Sequence, residues 1–213
     1  PQRGRPRPMT ARHRLSRRAL LALPAALAPL AARAQHMDAQ RATAFIQSTG
    51  EELVAVLNSN APVAERREQV AAILRRAVDI EGTGRFILGR WWRVATPAEQ
   101  QEYLRLFEES LIRNLASRFG EFQGVRFSIG RSQARTEEDV LVTTLVERPN
   151  TAPLTLDWRV AEVGGQPKIV DLVAEGSSLR LTQRSEYSSV IQRGGNQVSA
   201  LLAAMRAQNE RLR

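Results

Sequence analysis

The stretch from Pro153 to Leu179, PLTLDWRVAEVGGQPKIVDLVAEGSSL, constrains the fold more than any other part of the chain. Leu154, Leu156, Trp158 and Val160 alternate with Thr155, Asp157, Arg159 and Ala161, the period of a strand with one face buried. Gly164-Gly165 can take the two positive φ angles of a tight type I′ turn. A second strand is expected from Lys168 to Ala174. Glu175-Gly176-Ser177-Ser178 then breaks that strand and caps a helix opening near Leu179. The remaining elements should supply this hairpin with a hydrophobic lid.

Upstream, Gln35 to Asn58 reads as a helix with Ala42, Phe45, Ile46, Leu53, Val56 and Leu57 on one broad face. A second helix is expected from Pro62 to Val78. The segment Asp79 to Val94 reads as irregular or short-helical, because Gly82, Gly84 and Gly89 interrupt the apolar set Phe86, Ile87, Leu88, Trp91 and Trp92. Thr96-Pro97-Ala98-Glu99 is a helix start, with Thr96 as N-cap, Pro97 at the first helical position and Glu99 closing a capping box. That helix should run to about Phe119 with Leu104, Phe107, Leu111 and Leu115 as its apolar stripe. Beyond Gly120 and Gly124 the period changes from 3.6 to 2. Val125, Phe127 and Ile129 alternate, and Val140 to Glu147 is a strand apolar on both faces. Helices are expected again over Leu179 to Arg193 and Gly195 to Leu212. The predicted fold is α+β: a four-stranded antiparallel meander covered by N- and C-terminal helices around an apolar cavity.

Charge points away from nucleic acid once it is divided along the chain. The formal charge is +9, but residues 1–34 hold eight arginines and no acid, leaving 23 basic against 22 acidic residues in the rest. The basicity therefore belongs to the leader, so no DNA or RNA partner is expected. The leader has the layout of an export signal. Arg12, Arg14, Arg17 and Arg18 precede an apolar run from Ala19 to Ala32, and Ala32-Arg33-Ala34 is an A-x-A cleavage pattern. Ser16-Arg17-Arg18-Ala19-Leu20-Leu21 also resembles the twin-arginine export consensus, beside the alternative of a general secretion signal. The expected division is an export signal over 1–34 and one domain over 35–213, released by cleavage after Ala34 outside the cytoplasm. The chain has no cysteine, so packing alone must hold that domain together.

Parts for catalysis are scarce. After cleavage the only histidine is His36, which rules out a histidine-based triad or histidine metal cluster. Glu81-Gly82-Thr83-Gly84 lacks the following Gly-Lys-Ser/Thr of a phosphate loop and reads as a flexible turn. Asp157 and Asp171 occupy equivalent-looking positions of paired strands. They are the one acid/base pair on offer, against the plainer reading of solvent-facing or turn-bonding carboxylates. No catalytic residue, metal ligand or cofactor is assigned. What remains is apolar surface in excess of what a four-stranded sheet needs, which suits a cavity for an apolar ligand.

Two blocks carry a family resemblance. Leu88-Gly89-Arg90-Trp91-Trp92-Arg93-Val94-Ala95-Thr96-Pro97-Ala98-Glu99-Gln100, and later Val170-Asp171-Leu172-Val173-Ala174-Glu175-Gly176-Ser177-Ser178-Leu179 with Arg184 following, resemble the two signature blocks of the MlaC (toluene-tolerance) family. The order and separation match too. Leu115 stands where that family often has a tyrosine, Ser177 where it has an aliphatic residue, and Pro167 where an aromatic often precedes the last strand.

The resemblance implies a periplasmic carrier that holds phospholipid acyl chains in an internal cavity. It implies membrane-bound ABC transporter components and an outer-membrane lipoprotein complex as partners, with a hopanoid-associated branch as the alternative. The expected cavity wall takes Phe86 and Trp92 from the aromatic segment and Phe107, Leu111 and Leu115 from the capped helix. The strands add Val140, Val142, Leu154, Leu156, Trp158 and Val173. By the same resemblance the mouth-facing arginines near Arg85, Arg90 and Arg93 are candidates for docking on membrane partners, beside the plainer reading of solvated charges next to an apolar patch. Two rivals remain at this point: an enzyme using Asp157 or Asp171, and a ligand-free adaptor with a filled core.

Overall fold

The computed structural model describes residues 37–136 and 138–212; the leader and its cleavage pattern lie outside them. Asp38 opens α1 (Ala39–Leu57) by accepting the Arg41 N–H at 2.7 Å. After α2 (Val63–Ala77), Asp79 caps α3 (Ile80–Leu88) through the Gly82 N–H at 3.0 Å. A 3₁₀ turn over Gly89–Arg93 leads to α4 (Pro97–Ala116), whose capping box forms as its sequence requires: Thr96 Oγ1 accepts the Glu99 N–H and Glu99 accepts the Thr96 N–H. Strands β1 (Arg126–Ala134), β2 (Asp139–Glu147), β3 (Leu154–Val163), β4 (Gln166–Ala174) and β5 (Ser177–Ser178) follow. Helices α5 (Leu179–Arg193) and α6 (Val198–Arg211) end the described chain.

Two expectations need correcting. The meander has five strands in sequential order rather than four, because Ser177 and Ser178 pair with Ala174 and Val173 before Ser178 caps α5. The segment at Glu81-Gly82-Thr83-Gly84 is helical, where the glycines suggested a turn. Asp79 nucleates it, and Gly84 lets α4 approach, since a Cβ there would stand 2.8 Å from a Leu104 methyl.

Register decides which side chains share a face. Gly164 and Gly165, at φ 59° and 78°, close the β3–β4 hairpin. Val140, Val142, Thr144 and Val146 stand opposite Val160, Trp158, Leu156 and Leu154, forming one apolar face. A bulge in β4 at Val170 then shifts the pairing by one residue. Val160 faces Ile169, but Arg159 faces Asp171 and Trp158 faces Leu172. Leu172 thereby joins the apolar face while Asp171 and Val173 turn to the other.

Packing divides into three clusters of buried side chains. One is wholly helical and includes Leu88, Tyr103, Leu106, Ile191, Leu201 and Met205 from α3, α4, α5 and α6. A second sets Met37, Ala42 and Ile46 of the α1 region against Val140, Val142, Val160 and Ile169. The third gathers Leu57, Val70, Ala116, Phe119 and Val125 where α1, α2 and the end of α4 meet the start of β1. Helix α4 leans on α2, α3 and α6, whereas the sheet's main helical neighbours are α1, α2, α3 and α5.

Candidate functional site

The helical cluster and the sheet cluster do not merge, and the residues along their seam are only half-buried. On the apolar face of the sheet, Leu154, Leu156 and Leu172 are of this kind and belong to none of the three clusters. Helix α4 carries a matching row. Tyr103, Leu106, Phe107 and Ser110 are fully buried toward its helical neighbours, with Ser110 bonded to Asn209 of α6. Leu104, Leu111 and Leu115 sit at i, i+7 and i+11 and are only half-buried. Between α2, α3 and α4 lies an open groove of about 470 Å³ floored by Val78, Ile80 and Leu104. Val78 belongs to the sheet cluster, while Ile80 and Leu104 belong to the helical one.

Charges line the rim of the groove and leave its floor apolar. Arg75 of α2 spans to Glu108 of α4 at 2.7 Å, and Arg105 pairs with Glu109 at 3.1 Å. Glu108 holds the Arg75 guanidinium charged, raising a pKa that is already high. Arg85 pairs with Glu81 at 3.4 Å and lies over the Trp92 ring at 5.2 Å, and Arg90 lies over Trp91 at 4.6 Å.

The expected wall residues separate under this geometry. Leu111, Leu115, Leu154 and Leu156 lie half-buried along the seam. Trp158 shares their face, is half-buried against the sheet cluster, and donates its indole N–H to Thr144 Oγ1 at 2.9 Å. Val140 and Val142 are fully buried beneath α1. Phe107 is packed in the helical cluster, stacked on Tyr103 with centroids 6.1 Å apart. Phe86 points at α5, under Arg180 at 4.3 Å and Arg184 at 5.0 Å. Trp92 packs on the helical cluster, and Val173 stands opposite Asp157 on the other face of the sheet. Leu172, Leu104, Val78 and Ile80 escaped the sequence reading as wall residues. Leu104 could have been found from the α4 stripe, whereas Leu172 depended on the bulge.

That other face carries a ladder of charge across three strands and a helix. Arg159 donates to Asp139, and Asp171 accepts from Ser178 Oγ at 2.6 Å, the Leu172 N–H at 2.8 Å and the Arg180 N–H at 3.2 Å. The Arg180 guanidinium stands 3.3 Å from Asp171. Burial lowers the Arg180 pKa most, with Arg159 adding to the effect and Asp171 opposing it. Asp157 accepts from Thr143 Oγ1 on the same face. Both aspartates are thus engaged by neighbours and turned away from the apolar seam. Among the described residues, no group of three or more His, Cys, Asp or Glu is placed to hold a metal ion.

The toluene tolerance protein Ttg2D of Pseudomonas putida is 25% identical to this chain over 186 residues, which cover 84% of each chain. A phospholipid-binding protein from Ralstonia solanacearum, solved in complex with a phospholipid, superposes with a TM-score of 0.72 at 24% identity. The superposition covers 80% of this chain and 98% of that one and establishes likeness of fold. The family model described as MlaC protein matches residues 47–207, from within α1 to within α6 and across both signature blocks. The chain belongs to the MlaC family.

Proposed function

We propose that this protein is a carrier that takes the acyl chains of a phospholipid into the seam between sheet and α4 and leaves the headgroup in water. The observation that carries the reading is the pair of half-buried aliphatic rows: Leu154, Leu156 and Leu172 on the sheet, and Leu104, Leu111 and Leu115 on α4. Six aliphatic side chains held this way cost stability unless something apolar covers them. The phospholipid in the Ralstonia solanacearum complex supports the choice of ligand. Two chains of about 16 carbons expose roughly 30 CH₂ groups worth about 0.8 kcal/mol each, so free diffusion through water is prohibitive without such a sleeve.

The family and the leader support the cellular setting of this reading. The carrier is exported with cleavage after Ala34 and works in the periplasm. It exchanges lipid with membrane-bound ABC transporter components and an outer-membrane lipoprotein complex. No helix among the described residues is long and apolar enough to cross a membrane, which suits a carrier that leaves the bilayer. Catalysis is not proposed, because Asp157 and Asp171 face away from the seam and are spent on hydrogen bonds.

Mass spectrometry of the organic extract of the purified protein tests the reading. A diacyl phospholipid in near-stoichiometric amount is the expected result. A hopanoid would keep the carrier and change its cargo. A lipid-free protein that takes up no lipid from vesicles would overturn the proposal.

A further inference from the structure

Strand β4 holds one residue more than β3 between paired positions, and that residue decides what the sheet offers to the seam. Counted from the Gly164-Gly165 turn without a bulge, Arg159 would face Val170, Trp158 would face Asp171 and Leu156 would face Val173. The Asp171 carboxylate would then lie on the apolar face beside Trp158, and Leu172 would turn to the other face. The bulge at Val170 reverses these placements, so that Asp171 faces Arg159 and Leu172 faces Trp158.

A bulge leaves backbone groups outside the ladder, and they need partners elsewhere. The Leu172 N–H donates to Asp171 Oδ1 at 2.8 Å. The same oxygen accepts the Arg180 N–H at 3.2 Å, a donor in the first turn of α5 that has no partner within its helix. Asp171 Oδ2 accepts from Ser178 Oγ at 2.6 Å, and Ser178 in turn caps α5 through the Leu181 N–H. The Val170 carbonyl accepts from Thr83 Oγ1 of α3 and from the Arg180 guanidinium, each at 3.4 Å. Asp171 is only 6% exposed, so these donors stand in for water around its charge. The register without a bulge would strip them away and set the carboxylate against apolar side chains, which is far costlier.

We infer that Asp171 is a positioning residue for the lipid wall: by holding the Val170 bulge it keeps Leu172, and not Val173, in the seam. Its carboxylate lies on the face away from the cargo and acts through the register of β4. The inference rests on the carrier reading for its purpose, but the register itself can be read with no lipid present.

The chain has no cysteine, so disulfide trapping can report the register. Asp157 faces Val173 with the bulge and would face Leu172 without it. Asp157→Cys is therefore combined with Val173→Cys or with Leu172→Cys and oxidised under mild conditions. With Asp171 intact, only the combination with Val173→Cys should close. With Asp171→Val, whose side chain suits the apolar face, the combination with Leu172→Cys should close instead. Asp171→Asn keeps an acceptor for the Leu172 and Arg180 N–H groups and should stay in the native register. Without the added cysteines, Asp171→Val should bind a fluorescent phosphatidylethanolamine about tenfold more weakly, and Asp171→Asn nearly as wild type does. Deleting Val170 removes the need for a bulge, so an Asp171→Val protein that lacks Val170 should regain native pairing and lipid binding. Should Asp171→Val not fold, folding restored by that deletion supports the same role, and no restoration overturns it. Native pairing that persists in Asp171→Val, or equal weakening of lipid binding by Asn and Val, would overturn the inference. So would a changed register with unchanged lipid binding. A wild-type protein that binds no lipid probe would remove the carrier reading, and the cross-links would still decide separately whether Asp171 sets the register.

Discussion

The two sides of α4 meet the same solvent and the same chain, yet they are built to different standards. Toward α3, α5 and α6, Tyr103 and Leu106 are fully buried, and two polar groups of α4 there reach partners across the interface. The Tyr103 hydroxyl donates to the Gly84 carbonyl at 3.0 Å, and Ser110 reaches Asn209 at 2.8 Å. Along another stripe of the helix Leu104, which lines the groove, and Leu111 and Leu115, which pack against the helical and third clusters, stop at half-burial. Interiors pack like organic crystals, and on the proposed reading this half-buried row along the flank of a finished core is where acyl chains would lie. On the proposed reading, the helical core carries the stability and the seam gives some of it up for binding.

Substitutions on the two sides of α4 should break or sharpen that contrast. Leu106→Ala should cost about 2–5 kcal/mol by leaving a cavity in a packed core. Leu111→Ala, one turn on but in the seam, should cost only about 1 kcal/mol in lipid-free protein and weaken lipid retention more than stability. Urea midpoints of both variants, read beside their lipid content, make the comparison. Equal stability losses would mean that the two sides are packed alike.

Alkaline titration probes the packed side alone. Burial first, then Glu186, pushes the Tyr187 phenol up to about 12, and burial also raises Tyr103 well above its ordinary value. In the unfolded chain both phenols lose their protons near pH 10. Above that pH the folded state binds more protons than the unfolded one, so stability falls. The contribution is whole below about pH 10 and is lost as pH rises from there toward the folded values, at about 1.4 kcal/mol per pH unit for each phenol. Tyr187→Phe should remove one such increment from the slope between pH 10 and 12, measured by urea melts across that range. An unchanged slope would show that Tyr187 is solvated.

Thr96→Ala removes the cap that fixes where α4 starts and should cost about 1 kcal/mol. Because both sides of the helix lose equally, lipid content should stay at the wild-type level. Selective loss of lipid would instead tie the cap to the seam.

Much of this architecture was legible in the residues. The Thr96–Glu99 capping box, the Gly164-Gly165 turn and the alternation from Leu154 to Val160 each specify a local geometry by chemistry alone, and each forms. The helix over Ile80–Leu88 was obscured because Gly82 and Gly84 are poor helix formers, and only tertiary packing against α4 explains Gly84. The seam was harder still. A regular hairpin from the glycine turn pairs Leu156 with Val173, which puts Val173 on the apolar face. The bulge at Val170 gives that place to Leu172. Nor does periodicity distinguish a stripe that packs from a stripe that waits, which is why Phe107 and Leu111 read alike in sequence and differ in burial.

The central claim, that the seam is space kept for acyl chains, is tested most directly by filling it. Leu156→Trp places a large side chain among the half-buried residues of the sheet, and Val142→Trp places the same side chain on the same face, under α1. Lipid content by mass spectrometry and the melting temperature of the lipid-free form should be measured for both. Val142→Trp should lose about 1–3 kcal/mol or more through overpacking, while Leu156→Trp should melt close to wild type and co-purify without lipid. A Leu156→Trp protein that is strongly destabilised, or one that still carries a full complement of lipid, would contradict the account.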